Sequence, residues 1–219
     1  MKAIATYGVG KCKAQLDYSL PIFKAFAKRH GYDLFKTDKI GSARHPVWYK
    51  IPVMLDLLKT YDDVLWLDSD LIIVDGREDI PFPADFWQAM VFHHTWEGEV
   101  PNCGMWYVRK PMIPYLERAW NMTELLNYRW REQSAIMAQM GYDDHQASYL
   151  KAPTELYQHT YQLDNSWNRT PVDRWSGEHP RIHHIATCYT NVLETMKVWS
   201  MEAYSSWIND TVGDSNVSH

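Results

Sequence analysis

Residues 64–73 read VLWLDSDLII, which is an apolar run, an Asp-x-Asp pair and a second apolar run. A continuous apolar run of this length predicts a strand buried on both faces, as in parallel sheets covered by helices. Open α/β sheets bind their ligands at the carboxyl ends of such strands. We therefore predict that Asp68 and Asp70 point toward one hard divalent cation, which takes oxygen ligands and can bridge a diphosphate. The alternative is a solvated turn between two strands.

The chain before this motif predicts a β-α-β unit. Residues 2–7 form an apolar strand that ends at a glycine turn, and apolar residues at helical spacing then continue to His30. Gly31 is a typical helix stop, and residues 32–35 predict the second strand. Because β-α-β units join parallel strands, the predicted fold class is α/β with a mainly parallel central sheet flanked by helices.

The other predicted elements complete a single domain over residues 1–210, followed by a polar tail at 211–219. In chain order they are a helix at 47–61, strands at 90–92 and 104–108 around a loop at 93–103, helices at 111–126 and 131–140, an irregular segment at 141–180, a strand at 181–185 and a helix at 192–208. Long irregular segments often carry a substrate site.

Composition excludes several classes of protein. The chain has 22 basic and 27 acidic residues, a net charge of -5, and no cluster of Lys or Arg, so a nucleic-acid partner is not expected. Charged residues interrupt every apolar run among the first thirty residues, so we expect no membrane span or signal peptide and a cytoplasmic location. The three cysteines do not suggest a disulfide framework. Sequons begin at Asn121, Asn168, Asn209 and Asn216, and we interpret them as chance occurrences.

Residues 49–58, which read YKIPVMLDLL, lead through residues 61–67 into the Asp-x-Asp pair. This region resembles the core of GT-A-fold glycosyltransferases, especially the galactosyl/xylosyl/mannosyl transferase family of yeast Golgi mannosyl- and galactosyltransferases and plant xyloglucan xylosyltransferases. Further elements of that family occur in the same order, as NCG at 102–104, EQSA at 132–135 and HIATC at 184–188. The resemblance extends over about residues 1–190 and implies a GT-A-like, Rossmann-like domain.

The resemblance implies a nucleotide-sugar-dependent transferase that retains anomeric configuration. It implies Mn²⁺ or Mg²⁺ as the cofactor, a UDP-sugar as the favoured donor with GDP-mannose as the next candidate, and a glycan or other hydroxyl group as the acceptor. Asp68, Asp70 and His184 would be the metal ligands, and Asp68 could instead bind the donor ribose. His183 is the alternative to His184, because the two are adjacent and the family glycine three residues later is Thr187 here.

The same resemblance assigns donor contacts to Thr6, Tyr7, Gly8, Lys50 and Ser69. Tyr7 would stack on the nucleotide base, and Lys50 would add a positive contact to the diphosphate. From the residues alone, Tyr7 could equally be a core position at a strand end, and Lys50 a solvated helix residue.

Catalytic roles are implied for Asn102, Glu132 and Gln133. They would stabilise an oxocarbenium-like state during same-face attack, or Glu132 would be the nucleophile of a double displacement. Glu132 departs from the family, which has Asp before the Gln. The alternatives are an ordinary turn at residues 102–104 and a helix start favoured by the helix dipole. Acceptor contacts are assigned to Trp167, Asn168, Trp175 and Gly177.

Two other functions fit an Asp-x-Asp after an apolar strand. One is a phosphatase of the haloacid-dehalogenase type, with Asp143 and Asp144 as its second acidic motif. The other is an inactive nucleotide- or carbohydrate-binding module, which the departures at Glu132 and Thr187 leave open.

Overall fold

A computed structural model of the chain describes residues 1–37, 41, 44–96, 98–144, 149–171, 173–174, 177, 179–186 and 190–209, without the side chains of 143 and 144. Several predicted positions lie outside this description: the side chains of Asp143 and Asp144, residues Trp175, Thr187 and Cys188, the sequon at Asn216 and the tail at 211–219. Among the described residues, none of the helices has both the length and the apolar character needed to span a bilayer.

The strands are, in chain order, β1 (Lys2–Tyr7), β2 (Asp33–Thr37), β3 (Asp63–Leu67), β4 (Leu71–Ile73), β5 (Gln88–Thr95), β6 (Gly98–Arg109), β7 (Tyr142–Asp144), β8 (Tyr149–Leu150), β9 (Thr160–Leu163) and β10 (Ile182–His184). Within the described chain, six of them form a central sheet in the order β2-β1-β3-β6-β5-β9. Only β6 runs against the others in that sheet, so the predicted, mainly parallel sheet is confirmed. Two small antiparallel pairs, β4 with β10 and β7 with β8, lie outside it.

The helices are α1 (Cys12–His30), α2 (Lys50–Leu57), α3 (Ile113–Asn121), α4 (Glu132–Met140), α5 (Glu155–Gln158) and α6 (Val192–Ala203). Helix α1 ends as predicted at Gly31, whose left-handed conformation (φ 70°, ψ 39°) lets its N–H bond the Ala27 carbonyl. Short 3₁₀ turns precede α2 at Pro46–Tyr49 and α3 at Lys110–Met112, and α6 continues into a π-helical turn at Tyr204–Ile208.

The apolar run of β3 is buried on both faces of the sheet. Val64 and Trp66 pack into a cluster with α2, α3 and α4, whereas Leu65 and Leu67 pack into a second cluster with α1 and α6. Side chains alternate between the faces of a strand, so a strand covered on both sides needs an apolar residue at every position. The prediction from residues 64–67 is thus confirmed.

The predicted loop at 93–103 is wrong. Strand β5 continues to Thr95 and β6 begins at Gly98, and the two pair antiparallel through positions such as His94 and Glu99. The ladder shifts register between Met90 and Val91, which interrupts the alternation of apolar residues. This hairpin contains polar residues, so the hydrophobic pattern alone did not predict its pairing.

Two other predicted elements are corrected. The segment at 141–180, predicted to be irregular, contains α5 and β9, and β9 extends the central sheet parallel to β5. The single helix predicted at 111–126 is three shorter pieces, because Met122 leaves helical geometry (ψ 73°) between α3 and a 3₁₀ turn at Thr123–Leu125. Short elements of four residues carry too little periodicity to be recognised.

Candidate active site

The Asp-x-Asp turn is held between β6 and α1. At the end of β3, the Asp68 N–H donates to the Gly104 carbonyl over 2.8 Å, and the Leu71 N–H closes the turn on the Asp68 carbonyl over 3.3 Å. Ser69 is buried between the two aspartates, and its carbonyl accepts a hydrogen bond of 3.0 Å from the Ser19 hydroxyl of α1. The backbone that carries both carboxylates is therefore held in place by hydrogen bonds.

Pairing of β10 with β4 brings His184 to the same place. His184 pairs with Leu71, and the Ile185 N–H donates to the Asp70 carbonyl over 3.1 Å. The His184 Nε2 lies 3.6 Å from Asp70 Oδ1, and one donor atom each from Asp68, Asp70 and His184 lie within 4.8 Å of one another. A distance of 3.6 Å is too long for a hydrogen bond. It suits two ligands of one ion, which are about 3 to 4.2 Å apart when each bond is about 2.1 Å.

His183 lies on the other side of β10 because successive side chains of a strand alternate. Its ring stacks on Trp199 with the ring centroids 3.9 Å apart and the planes at 10°. Burial, with the charge of Arg169, lowers the pKa of His183 to about 4. The geometry therefore places His184, and not His183, beside the two aspartates.

Lys50 is buried and lies between two carboxylates. Its Nζ is 3.1 Å from Asp68 Oδ1 and 3.1 Å from Glu132 Oε1, and it donates to the Cys103 carbonyl over 3.0 Å. Burial lowers the pKa of Lys50, but the charges of Asp68 and Glu132 outweigh it and hold the pKa above its usual value. Lys50 is thus a buried ammonium ion, and the interpretation as a solvated helix residue is wrong.

The site carries more negative than positive charge. Burial raises the pKa of Glu132 against the opposing effect of Lys50, and Asp68 raises it further. Burial also raises the pKa of Asp70. His184 lowers this pKa, whereas the charge of Asp68 raises it. The carboxylates of Asp68, Asp70 and Glu132 thus lie near one lysine. A divalent cation among Asp68, Asp70 and His184 would offset their negative charge. The residues present fit such an ion in ligand type, spacing and charge.

A cavity of about 270 Å³ opens beside these ligands and brings together residues that are distant in sequence. Its lining includes six residues predicted to belong to the site, namely Lys50, Asp68, Asn102, Glu132, Gln133 and His184. Arg131 and Ala186 also line it, and both have a φ of 48°, which is unusual for residues other than glycine. Backbone strain of this kind clusters at functional sites.

Two side chains in this cavity present defined polar atoms. The Gln133 Oε1 accepts the Cys103 N–H over 3.1 Å, so its amide NH₂ is left as a donor. The Glu132 Oε2 is buried and has no hydrogen-bond partner within the described residues. Unpartnered buried polar atoms are uncommon in native proteins and often belong to a binding site.

A second cavity, of about 520 Å³, lies where β1 meets the start of α1, and its lining includes Gly8, Lys13 and Lys36. A Cβ atom on Gly8 would lie 2.6 Å from the Cys12 carbonyl oxygen, so only glycine allows β1 to pass this close to α1. Helix α1 connects this cavity to the Asp-x-Asp turn, because Leu16 lines the cavity and the Ser19 hydroxyl donates to the Ser69 carbonyl over 3.0 Å.

Thr6 and Tyr7, two of the predicted donor contacts, are core positions. Thr6 is fully buried, and the Tyr7 ring packs against Trp66 with the centroids 5.3 Å apart. The Tyr7 hydroxyl donates to the Pro46 carbonyl. Contacts of these two residues and of Ser69 to a donor stay predictions.

Two side-chain contacts of the site were not predicted from the sequence. The Trp66 Nε1–H donates to Asp68 Oδ1 over 2.6 Å. Residues two apart share a face of a strand, so this contact was accessible from the sequence. The Asn168 Oδ1 lies 2.9 Å from the Nδ1 of His184, and its assignment to the acceptor side stays a prediction. No local sequence pattern predicts that contact, because Asn168 and His184 are 16 positions apart.

The chain resembles solved structures in its fold. No protein-family model matches the chain, and no curated protein matches it. A glycosyltransferase involved in the glycosylation of the major capsid of PBCV-1 is similar with a TM-score of 0.64 at 12% identity, over 90% of this chain and 99% of that one. The galactosyltransferase LgtC, solved with donor and acceptor sugar analogues, gives 0.56 at 12% identity over 94% and 96%.

The apo form of the glycosyltransferase GlyE of Streptococcus pneumoniae TIGR4 has a TM-score of 0.65 at 16% identity. The match covers 98% of this chain but 64% of GlyE, so this chain spans less than two thirds of that protein. Likeness at such low identity establishes the fold. The chain has the GT-A fold that residues 49–70 led us to expect.

Proposed function

We propose that this chain is a metal-dependent glycosyltransferase that moves a sugar from a nucleotide-sugar, with UDP as the favoured nucleotide, to a hydroxyl acceptor. One observation carries the proposal. Asp68, Asp70 and His184 converge within 4.8 Å of one another at the carboxyl end of β3 in a GT-A fold. Ligands bind at this edge in open α/β sheets.

Mn²⁺ or Mg²⁺ is the proposed cofactor, held by Asp68, Asp70 and His184. When bound, the ion would neutralise the diphosphate leaving group as charge develops on it. The chain's own contribution is to fix the ligands: Lys50 and Trp66 hold the Asp68 carboxylate, and the Ile185 N–H, directly after β10, binds the Asp70 carbonyl. Ligands that are already in place cost little reorganisation during the reaction.

The nucleotide is proposed to occupy the 520 Å³ cavity at the start of α1. A cavity of this size lies within the range of about 300 to 1,000 Å³ that is typical of small-molecule sites. Lys13 and Lys36 line it and would contact phosphate groups. A UDP-sugar is favoured over GDP-mannose on the resemblance alone, since both nucleotides fit these observations.

The transferred sugar is proposed to occupy the 270 Å³ cavity, where Glu132 and Gln133 present their polar atoms. Glu132 Oε2 would accept a hydrogen bond from a sugar hydroxyl, and the Gln133 amide would donate one. Retention through same-face attack is favoured over a double displacement, because Lys50 already binds Glu132 Oε1 and reduces its strength as a nucleophile.

The test is release of nucleoside diphosphate from a panel of UDP- and GDP-sugars, with simple alkyl glycosides as acceptors, in Mn²⁺ or in EDTA. We expect turnover in Mn²⁺ that is lost in EDTA and in Asp70→Asn. Asp56→Asn is the matched control, because Asp56 is an exposed residue of α2. Release of phosphate from a generic phosphate ester would support the phosphatase, and nucleotide-sugar binding without turnover would support the inactive module.

A further inference from the structure

A chain of amide hydrogen bonds connects the backbone of β6 to the ring of His184. The Gly104 N–H donates to Asn102 Oδ1 over 2.8 Å, and the Asn168 amide NH₂ donates to the same oxygen over 2.9 Å. The Asn168 Oδ1 in turn lies 2.9 Å from His184 Nδ1. Asn168 is fully buried, so water does not compete with these bonds.

The direction of every bond in this chain follows from its first member. A backbone N–H can only donate, so the Asn102 atom that faces Gly104 must be the carbonyl oxygen. The Asn168 group on that oxygen must then be the NH₂, which leaves the Asn168 oxygen facing His184. An oxygen acceptor requires a proton on His184 Nδ1. In a neutral imidazole the lone pair is then on Nε2, the atom 3.6 Å from Asp70.

The surrounding backbone restricts the position of the His184 ring. The His184 N–H donates to the Arg169 carbonyl and the Arg169 N–H to the Ile182 carbonyl, each over 2.8 Å, so the turn that carries Asn168 is joined to β10. Gly104 packs against the ring face, where a Cβ atom would lie 2.5 Å from His184 Cε1. Asn168 also begins an Asn-Arg-Thr sequon, but its side-chain amide is buried and takes part in these hydrogen bonds.

We propose that Asn168, supported by Asn102, is a positioning residue that keeps His184 in the Nδ1-protonated tautomer with Nε2 directed at the metal site. The metal part rests on the proposed function, whereas the tautomer does not. Partners of this kind fix the tautomer and orientation of histidine ligands, and their loss weakens metal affinity about 10- to 100-fold.

The tautomer is measured first, without metal, by two-bond ¹⁵N–¹H correlation NMR on ¹⁵N-histidine-labelled protein at pH 8. The chain has ten histidines, so a His184→Gln spectrum identifies the signals of His184. We expect the Nδ1-protonated form in the wild type. In Asn168→Ala we expect a shift to the Nε2-protonated form. A wild-type His184 in the Nε2-protonated form, or a tautomer unchanged in Asn168→Ala, overturns the proposal.

Metal affinity is then measured by titration of Mn²⁺ into the same proteins. Asn165→Ala is the matched control: Asn165 is a buried asparagine of the same turn, and it donates to Asp173 over 2.6 Å. We expect the dissociation constant to rise at least tenfold in Asn168→Ala and to change less than twofold in Asn165→Ala. A change in Asn165→Ala as large as in Asn168→Ala would mean general destabilisation and overturn the positioning role.

The two measurements separate the proposals. Loss of the Nδ1-protonated tautomer in Asn168→Ala, in a protein that binds no Mn²⁺ as wild type, would support the positioning of His184 and sink the metal-dependent transferase. Mn²⁺ binding that depends on Asp70 but is insensitive to Asn168→Ala would support the metal site and overturn the positioning role of Asn168.

Discussion

Replacement of Gly104 by alanine should displace His184 without touching any ligand atom. The added Cβ would lie 2.5 Å from His184 Cε1, 3.0 Å from His184 Nδ1 and 2.9 Å from Asn102 Oδ1. Ordinary contact begins at 3.4 Å, so the ring must move by 3.4 − 2.5, or 0.9 Å, if the backbone stays in place. Metal–ligand distances vary by only about 0.2 Å, so a shift of this size removes His184 from the coordination of an ion.

The expected magnitude combines two effects. Overpacking should lower the free energy of unfolding by about 1 to 3 kcal/mol. Displacement of the third ligand should raise the dissociation constant for Mn²⁺ about 100-fold, the upper end of what loss of a ligand's support costs. Calorimetric titration of Mn²⁺ measures the second effect, and thermal unfolding without metal measures the first.

Gly76→Ala is the matched control. A Cβ on Gly76 would lie 2.7 Å from the ring of Trp207, a comparable clash in the core between α1 and α6. We expect it to lower stability by a similar amount and leave Mn²⁺ affinity unchanged. Wild-type affinity in Gly104→Ala, or an equal loss of affinity in Gly76→Ala, would show that Gly104 does not position His184 for the metal.

Three further changes are expected to have separate effects. Lys50→Met leaves buried carboxylates without their cation and should lower the free energy of unfolding by about 3 to 5 kcal/mol in denaturant titrations; a loss under 1 kcal/mol would contradict the buried ion pairs. Trp66→Phe removes the hydrogen bond to Asp68 and should weaken Mn²⁺ binding about tenfold, whereas Trp106→Phe, which removes the hydrogen bond of another buried indole, should not. Burial, with nearby positive charges, lowers the pKa of His93 to about 3, so only the unfolded chain takes up its proton below pH 6.5 and stability falls as the pH falls. The loss between pH 6.5 and pH 4 should be shallower in His93→Gln, and equal slopes would refute this.

The sequence predicted the parts of the fold that carry their own periodic signal. The run at 64–67, the helix that ends at Gly31 and the β-α-β order all depend on local patterns, and each is confirmed. The β5–β6 hairpin and β9 could not be predicted, because their pairing partners and not their own hydrophobicity define them.

The same distinction applies to the site. Asp68 and Asp70 are two residues apart, so the acidic pair could be predicted from the sequence. The choice between His183 and His184 required the register of β10 against β4. The burial of Lys50 between two carboxylates joins α2, β3 and α4, which no local pattern specifies. The contact between Asn168 and His184 depends on how the turn at Asn165–Asn168 packs against β10, which the sequence does not specify.

The most direct test of the central claim is calorimetric titration of UDP into the wild type and Asp70→Asn, with and without Mn²⁺, with Asp56→Asn as the control. We expect UDP binding that requires Mn²⁺, is lost in Asp70→Asn and is unchanged in Asp56→Asn. UDP and GDP that both fail to bind the wild type in Mn²⁺, or that bind equally well in EDTA and in Asp70→Asn, would contradict it.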